Sequence, residues 1–259
     1  PPAGAFYAGD VIEAEIEDPT AELENMAYAA VERAVSEPGL LSRLAIPEAF
    51  HDLVRTSWRR ADRNLYGRFD FAYGSGGPAK LLEYNADTPT SLFESAVFQW
   101  VWLEQMMERG GLPAGADQFN SLHERLVDAF RRFGIAPDTL HLAGVLSSAE
   151  DRGTVEYLAD GAQQAGLTTV VLDMAALGID AEGRFTDLDD RLISHLFKLY
   201  PWEFMIHEPF GLHLLADRAR VIEPAWKMVL SNKGLLALLW DMAPGHPNLL
   251  PAWFADDPA

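Results

Sequence analysis

The chain has 259 residues, 20 of them Lys or Arg and 39 Asp or Glu, for a formal charge of −19 with neutral histidines. An apolar share of 49% is enough for a sizeable core in one large domain or two small ones, and the lack of cysteine excludes a disulfide scaffold, a thiolate metal site and a cysteine nucleophile. So acidic a chain repels phosphate backbones, which argues against a nucleic-acid partner and for cationic partners such as polyamines, or anionic ones carried with a metal.

No apolar stretch nears the roughly 20 residues that span a bilayer, so no membrane partner is expected. The run Ala96–Leu103 is broken by Gln99 and bounded by Glu94 and Glu104, which predicts a buried amphipathic helix. Pro1 to Ala5 carry no basic signal-peptide region, and the missing initiator Met points to a start inside a longer product. Together with the absence of cysteine, these features predict a soluble, cytoplasmic protein.

In chain order, residues 18–36 form a first helix, capped by Asp18 or Thr20 and stopped by Pro38-Gly39, with Leu23, Met26, Ala30, Val31 and Ala34 at helical spacing. Residues 47–60 form a second. Extended segments at 68–73 and 80–85 flank a Gly-rich loop at 74–78 that lacks a Gly-Lys-Ser/Thr ending, so it is a hairpin connection and not a phosphate loop. Helices follow at 91–109, ended by Gly110-Gly111, and at 117–133. Strand 140–146, helix 150–165 and strand 168–173 make a βαβ unit, the mark of a parallel sheet; 192–200 is a further strand and 233–242 a final helix. The predicted divisions fall near 134–138 and 230. They give an N-terminal helix-and-hairpin part (1–135), a Rossmann-like part (136–230) and the start of another part (231–259).

Pairing the two extended segments so that positions sum to 153 sets Phe69 opposite Tyr84 and Phe71 opposite Leu82 on an apolar face. The same register sets Arg68 opposite Asn85, Asp70 opposite Glu83 and Ala72 opposite Leu81 on the other face. Facing carboxylates repel, yet a one-residue slip would turn Phe69 and Phe71 to the polar side. A cation is therefore expected between Asp70 and Glu83: either Arg68 or a divalent metal, for which Asp70, Glu83 and the Asn85 carbonyl are hard oxygen ligands of the kind magnesium takes beside substrate phosphates. The segment from Asn85 to Ser91 precedes a long helix, whose free amides and the nearby hydroxyls could take a carboxylate or phosphate or serve as a plain cap.

The blocks Gly67-Arg-Phe-Asp70, Lys80-Leu-Leu-Glu-Tyr-Asn-Ala-Asp-Thr-Pro-Thr-Ser91, Phe197-Lys-Leu-Tyr-Pro-Trp-Glu203, Glu223-Pro-Ala-Trp-Lys227, Ser231-Asn-Lys233 and His246-Pro-Asn-Leu-Leu-Pro251 closely resemble the glutathionylspermidine synthase family, in family order. The resemblance implies an α/β fold: a pre-ATP-grasp-like mixed α/β arrangement with a Rossmann-like βαβ half and an incomplete ATP-grasp part. It implies an ATP- and Mg2+-dependent carboxylate–amine ligase that works through an acyl phosphate. Its substrates would be a glutathione-like peptide acid and a polyamine or other amine. By the same resemblance, Asp70, Glu83 and Asn85 are the magnesium ligands, Arg68 faces the transferred phosphoryl group, Thr88 contacts the peptide acid and Lys233 contacts ATP. Glu150 and Asp151 match an acidic pair near the acid and amine sites, although carboxylates at a helix start also simply suit the helix dipole. Trp202 and Glu203 follow a strand, where a Trp belongs to the core.

Two departures matter. Without cysteine the chain cannot carry the amidase activity of bifunctional members, and Thr88-Pro-Thr-Ser91 resembles the single-function branch. The family's later segment, with a second ATP lysine and a Gly-Arg-rich loop, has no counterpart before Ala259, nor have its opening residues. The alternative to a working ligase is thus an incomplete piece that only binds substrate or nucleotide, or is structural. A metal-dependent hydrolase ranks last, because neither His-Glu-x-x-His nor Gly-x-Ser-x-Gly occurs.

Overall fold

The computed structural model describes residues 9–74, 77–113, 115–118 and 120–257. In chain order the longer elements are helices α1 (Asp18–Ser36) and α2 (His51–Arg59), strands β1 (Arg68–Gly74) and β2 (Gly77–Asn85), helices α3 (Gln99–Glu108) and α4 (Leu122–Arg132), strand β3 (Thr139–Gly144), helix α5 (Ala149–Gln164), strands β4 (Thr168–Asp173), β5 (His195–Leu199) and β6 (Arg220–Ile222), and helix α6 (Gly234–Met242). The chain belongs to two compact units. One gathers Pro1–Ala61, Gly67–Ala86 and Trp226–Ala259; the other gathers Asp62–Tyr66 and Asp87–Ala225. The sequence reading instead divides the chain near 135 and 230. Linear composition shifts mark the start of the parallel sheet but not the return of the last segment to the first unit.

In the first unit α1 packs on α2 and α6. Leu23, Ala30, Val31 and Ala34 of the predicted helical stripe are buried on one face of α1 together with Ala27, while Met26 is only half-buried. No side chain caps α1; the Thr20 hydroxyl instead donates to the Ile16 carbonyl at 2.6 Å. Trp58 and Trp226 meet edge-on at 5.3 Å between ring centroids, with Tyr28 against both.

The ribbon β1–β2 is antiparallel, with Arg68 opposite Asn85, Phe69 opposite Tyr84 and Asp70 opposite Glu83, as the alternation predicts. Beyond that the register corrects the expectation. A bulge after Asp70 sets Phe71 opposite Leu81 and Ala72 opposite Lys80. Leu81 is therefore the buried leucine at 1% exposure, and Leu82, expected on the apolar face, is 45% exposed. Phe69 stacks on Tyr84 at 3.9 Å and on Phe71 at 6.0 Å. Gly67 permits this: a Cβ there would lie 2.6 Å from a ring carbon of Tyr84. The free edge of β2 is covered by the His246–Pro251 block, where Leu81 donates its N–H to the Asn248 carbonyl at 2.8 Å and the Asn248 amide donates to the Ala79 carbonyl at 2.9 Å. Residues 75 and 76 of the Gly-rich connection lie outside the described residues.

In the second unit the four-stranded sheet has the order β4-β3-β5-β6, all parallel. The β3–α5–β4 crossover is the predicted βαβ unit, its helix followed by Gly166 at φ +90°. Leu140 and Leu142 of β3, Val155 and Leu158 of α5, Phe130 of α4 and Phe197 of β5 share one buried cluster. The predicted helix at 91–109 opens with a π-helical turn, Glu94–Phe98, before α3. Its burial is a correction. Phe98, Trp100, Val101, Trp102 and Met107 are exposed, and within α3 only Leu103 is buried. The apolar residues are consecutive rather than confined to one stripe, so no single face can bury them. The helix expected from 117 starts at Leu122. Among the described residues no helix is long and apolar enough to cross a membrane.

Candidate functional site

Arg68 and Asp70 project from β1 on the face opposite the Phe69–Tyr84 stack, and Glu83 and Asn85 from β2 on the same face, because side chains two apart in a strand share a side. The guanidinium of Arg68 grips Asp70 with both arms, Nε to Oδ1 at 2.7 Å and an Nη to Oδ2 at 3.0 Å. This contact pushes the Arg68 pKa further up, against the opposing effect of burial. The Asn85 amide donates to Asp70 Oδ2 at 3.4 Å. The Asp70 and Glu83 side chains are 39% and 33% exposed.

Glu83 has a different cation. It pairs with the ammonium of Lys233, at the N-terminus of α6. The two residues flanking that lysine explain how a mostly exposed side chain is aimed. The Asn232 amide donates to the Leu44 carbonyl at 2.6 Å, and its oxygen accepts the Gly234 N–H at 2.8 Å. Gly234 lies so close to Leu44 and Phe254 that a Cβ would stand 2.6 Å and 2.9 Å from them. The backbone on either side of Lys233 is thereby fastened. The expected cation between the two acids is thus two cations, one per carboxylate. Arg68 was a candidate counter-ion from the sequence; Lys233, 150 residues from Glu83, was not.

Asp70, Glu83 and Asn85 are oxygen donors suited to a hard cation. Among the described residues no group of three or more His, Asp or Glu is gathered into a metal cage. Two carboxylates and an amide still match the sparse protein share of a magnesium site whose remaining ligands are phosphates and water, provided Arg68 and Lys233 release the acids to the ion.

Thr88, Glu150 and Asp151 belong to the second unit. Thr88 is half-buried after Asp87. Glu150 and Asp151 open α5, where Ser148 Oγ caps the helix by accepting the Asp151 N–H at 3.3 Å and donates to the Asp151 carboxylate at 3.2 Å. Asp151 thus serves the helix start, and Glu150 is exposed.

Several buried charges escaped the sequence reading, Lys198 and Glu223 among them. Lys198, in the apolar run of β5, is fully buried and its ammonium pairs with Asp87, whose other oxygen accepts the Trp202 N–H at 2.7 Å. The ammonium also sits 5.1 Å from the Trp202 ring centroid. Glu223, fully buried, accepts the N–H groups of Leu65 and Tyr66 at 3.1 Å. A lysine inside Leu196-Phe-Lys-Leu199 was the available signal, since a charge in a buried strand demands an opposite charge.

The chain carries a parallel α/β sheet in one unit and an acid-and-cation ribbon in the other, a mixed α/β architecture. The profile of the family described as "Glutathionylspermidine synthase preATP-grasp" matches residues 5–259, and the chain belongs to that family. It is 46% identical over 245 residues to a Haemophilus influenzae protein named "Putative acid--amine ligase", covering 92% of this chain and 60% of that one. It is 27% identical over 263 residues to the "Bifunctional glutathionylspermidine synthetase/amidase" of Escherichia coli, covering 92% of this chain and 41% of that protein. A glutathione synthetase-like effector of Globodera pallida shares the fold with a TM-score of 0.55 at 14% identity, over 95% of this chain and 61% of its own. The chain thus spans about 60% or less of the curated relatives it resembles.

Proposed function

We propose that the chain is the substrate- and nucleotide-facing part of an ATP-dependent acid–amine ligase acting on a glutathione-like peptide acid and a polyamine or other amine. The observation that carries this reading is the ribbon face on which Asp70 and Glu83 stand opposite each other, each paired to its own cation, Arg68 and Lys233. In such a ligation the acid's carboxylate takes the γ-phosphoryl group with release of ADP. The amine then attacks the acyl carbonyl, phosphate leaves, and the amine loses a proton.

Both steps gather negative charge on phosphoryl oxygens, so the protein's part is positioning and charge neutralisation. Arg68 offers a planar fork to phosphoryl and acyl-phosphate oxygens. Lys233 swings from Glu83 to the nucleotide phosphates. Asp70, Glu83 and Asn85 would hold Mg2+, which would supply charge neutralisation to the nucleotide phosphates. Thr88 donates its hydroxyl to the peptide acid, and Glu150 and Asp151 attract the protonated amine. The relatives named as ligases support the reaction class.

Calorimetric titration of the full-length protein with MgATP tests the reading. Saturable binding is expected, together with ADP release when glutathione and spermidine are the probe substrates. Arg68→Ala should lower turnover by about 10²-fold or more, and Glu83→Gln should weaken MgATP binding, with the melting temperature nearly unchanged in both because exposed pairs contribute only about 0–1 kcal/mol. A folded full-length protein that binds no MgATP would overturn it. A second reading, a binding module without turnover, would be refuted by steady ADP release by the 259-residue chain itself.

A further inference from the structure

A cavity of about 700 Å³, within the usual size of small-molecule sites, opens in the second unit at the carboxyl ends of its strands. Val145 follows β3, Asp173 closes β4 and Tyr200 follows β5, and all three line it. β4 lies on one side of β3 and β5 on the other. The cavity therefore stands where the strand order reverses, the place at which open parallel sheets accept ligands.

Its chemistry is one-sided. Met174, Leu177 and Phe210 supply apolar wall, and Phe210 is braced edge-on by Phe185 with 5.8 Å between centroids. Among the described residues no lysine or arginine lines it, while Asp173 and Glu208 do. Asp173 is fixed in place by the N–H groups of Leu146 and Ala175, each at 2.9 Å. Arg152, near this wall, is committed to the Leu146 carbonyl. Glu208 accepts the Tyr200 hydroxyl on one oxygen at 2.5 Å, and its other oxygen takes no hydrogen bond from a described residue. The Tyr200 phenol is held in its protonated form, chiefly by this hydrogen bond and further by burial. Among the described residues that line it, His213 is the one side chain able to gain positive charge.

We propose that this cavity binds a small organic cation: a protonated amine carried on an apolar body. The ammonium meets the open oxygen of Glu208 and the aromatic faces of Tyr200 and Phe210, and the body lies against Met174 and Leu177. Anions are repelled by the two carboxylates. A bare metal ion would find too few oxygens among apolar walls, and a neutral apolar guest would leave the Glu208 charge desolvated and unpaired. All lining residues are in the second unit, and the inference stands whether or not ligation occurs.

The test uses 2-phenylethylamine as the probe, with phenylacetate and 2-phenylethanol as its anionic and neutral counterparts, followed by calorimetry and by amide chemical shifts. Saturable binding of the amine alone is expected, with shifts at Leu146, Ala175, Glu208 and Phe210. Glu208→Gln should weaken it about tenfold or more. Phe210→Leu, which keeps the wall apolar, should weaken it less, with a melting curve confirming that each variant is folded. Equal binding of phenylacetate or 2-phenylethanol, undiminished affinity in folded Glu208→Gln, shifts confined to other residues, or no saturable amine binding in the millimolar range would each overturn the proposal.

Discussion

Asp70 and Glu83 show what a single side chain can and cannot disclose in advance. Their opposition follows from two-residue alternation and four aromatic or apolar neighbours, so it was legible. Their separate cations were not: Arg68 is two residues from Asp70, but Lys233 arrives on a helix formed much later in the chain. Asp187 uses its charge differently. Burial alone would raise its pKa. The backbone N–H groups of Arg191 and Asp189, each at 2.9 Å, together with the side chains of His141 and Arg191, outweigh that and bring the carboxyl from an ordinary 3.8 down to about 2. A depressed pKa contributes stability that is complete above the unfolded value and withdrawn as the pH falls toward the folded one. Urea unfolding should therefore show stability falling between about pH 4 and 2, and Asp187→Asn should be less stable near neutrality while flattening that acid limb. An unchanged slope in Asp187→Asn would show that other carboxylates dominate it.

Elements disclose more than residues, because periodicity is a property of a run. The parallel sheet, its crossover helix and the ribbon were all readable from apolar spacing and from Gly and Pro stops. The ribbon's bulge was not, since Leu81 and Leu82 are adjacent and alternation cannot choose between them. The choice is made by Asn248, whose backbone and amide bind on either side of Lys80. Leu81→Ala should cost about 2–5 kcal/mol in urea unfolding, whereas Leu82→Ala should stay within about 0.5 kcal/mol; the reverse order would restore the unbulged register. The segment after β2 is held by the buried Asp87–Lys198 pair. Asp87→Ala strands an ammonium in the core, at a cost of about 3–5 kcal/mol. Removing both charges with Asp87→Ala and Lys198→Met should recover part of that loss, and a double variant as unstable as the single one would show that the pairing is not the cause.

On the scale of the whole molecule, charge and the missing cysteines carry no information about connectivity. The chain enters the second unit at Asp62, leaves at Tyr66, enters again at Asp87 and leaves for good after Ala225. A linear division near 135 looked natural because the parallel sheet begins there, and the last helix looked like the start of something new. α6 instead packs on α1, more than 200 positions earlier.

That threading decides what can be taken apart. Co-expressed pieces 1–135 and 136–259 are expected to reassemble into a species with one cooperative melting transition, whereas either piece alone should give none, since each lacks a share of both hydrophobic interiors. A cooperative melt from a solitary half would refute this. By the same logic a recombination event with one crossover cannot transplant either unit into another gene, so the two are bound to be inherited as a pair.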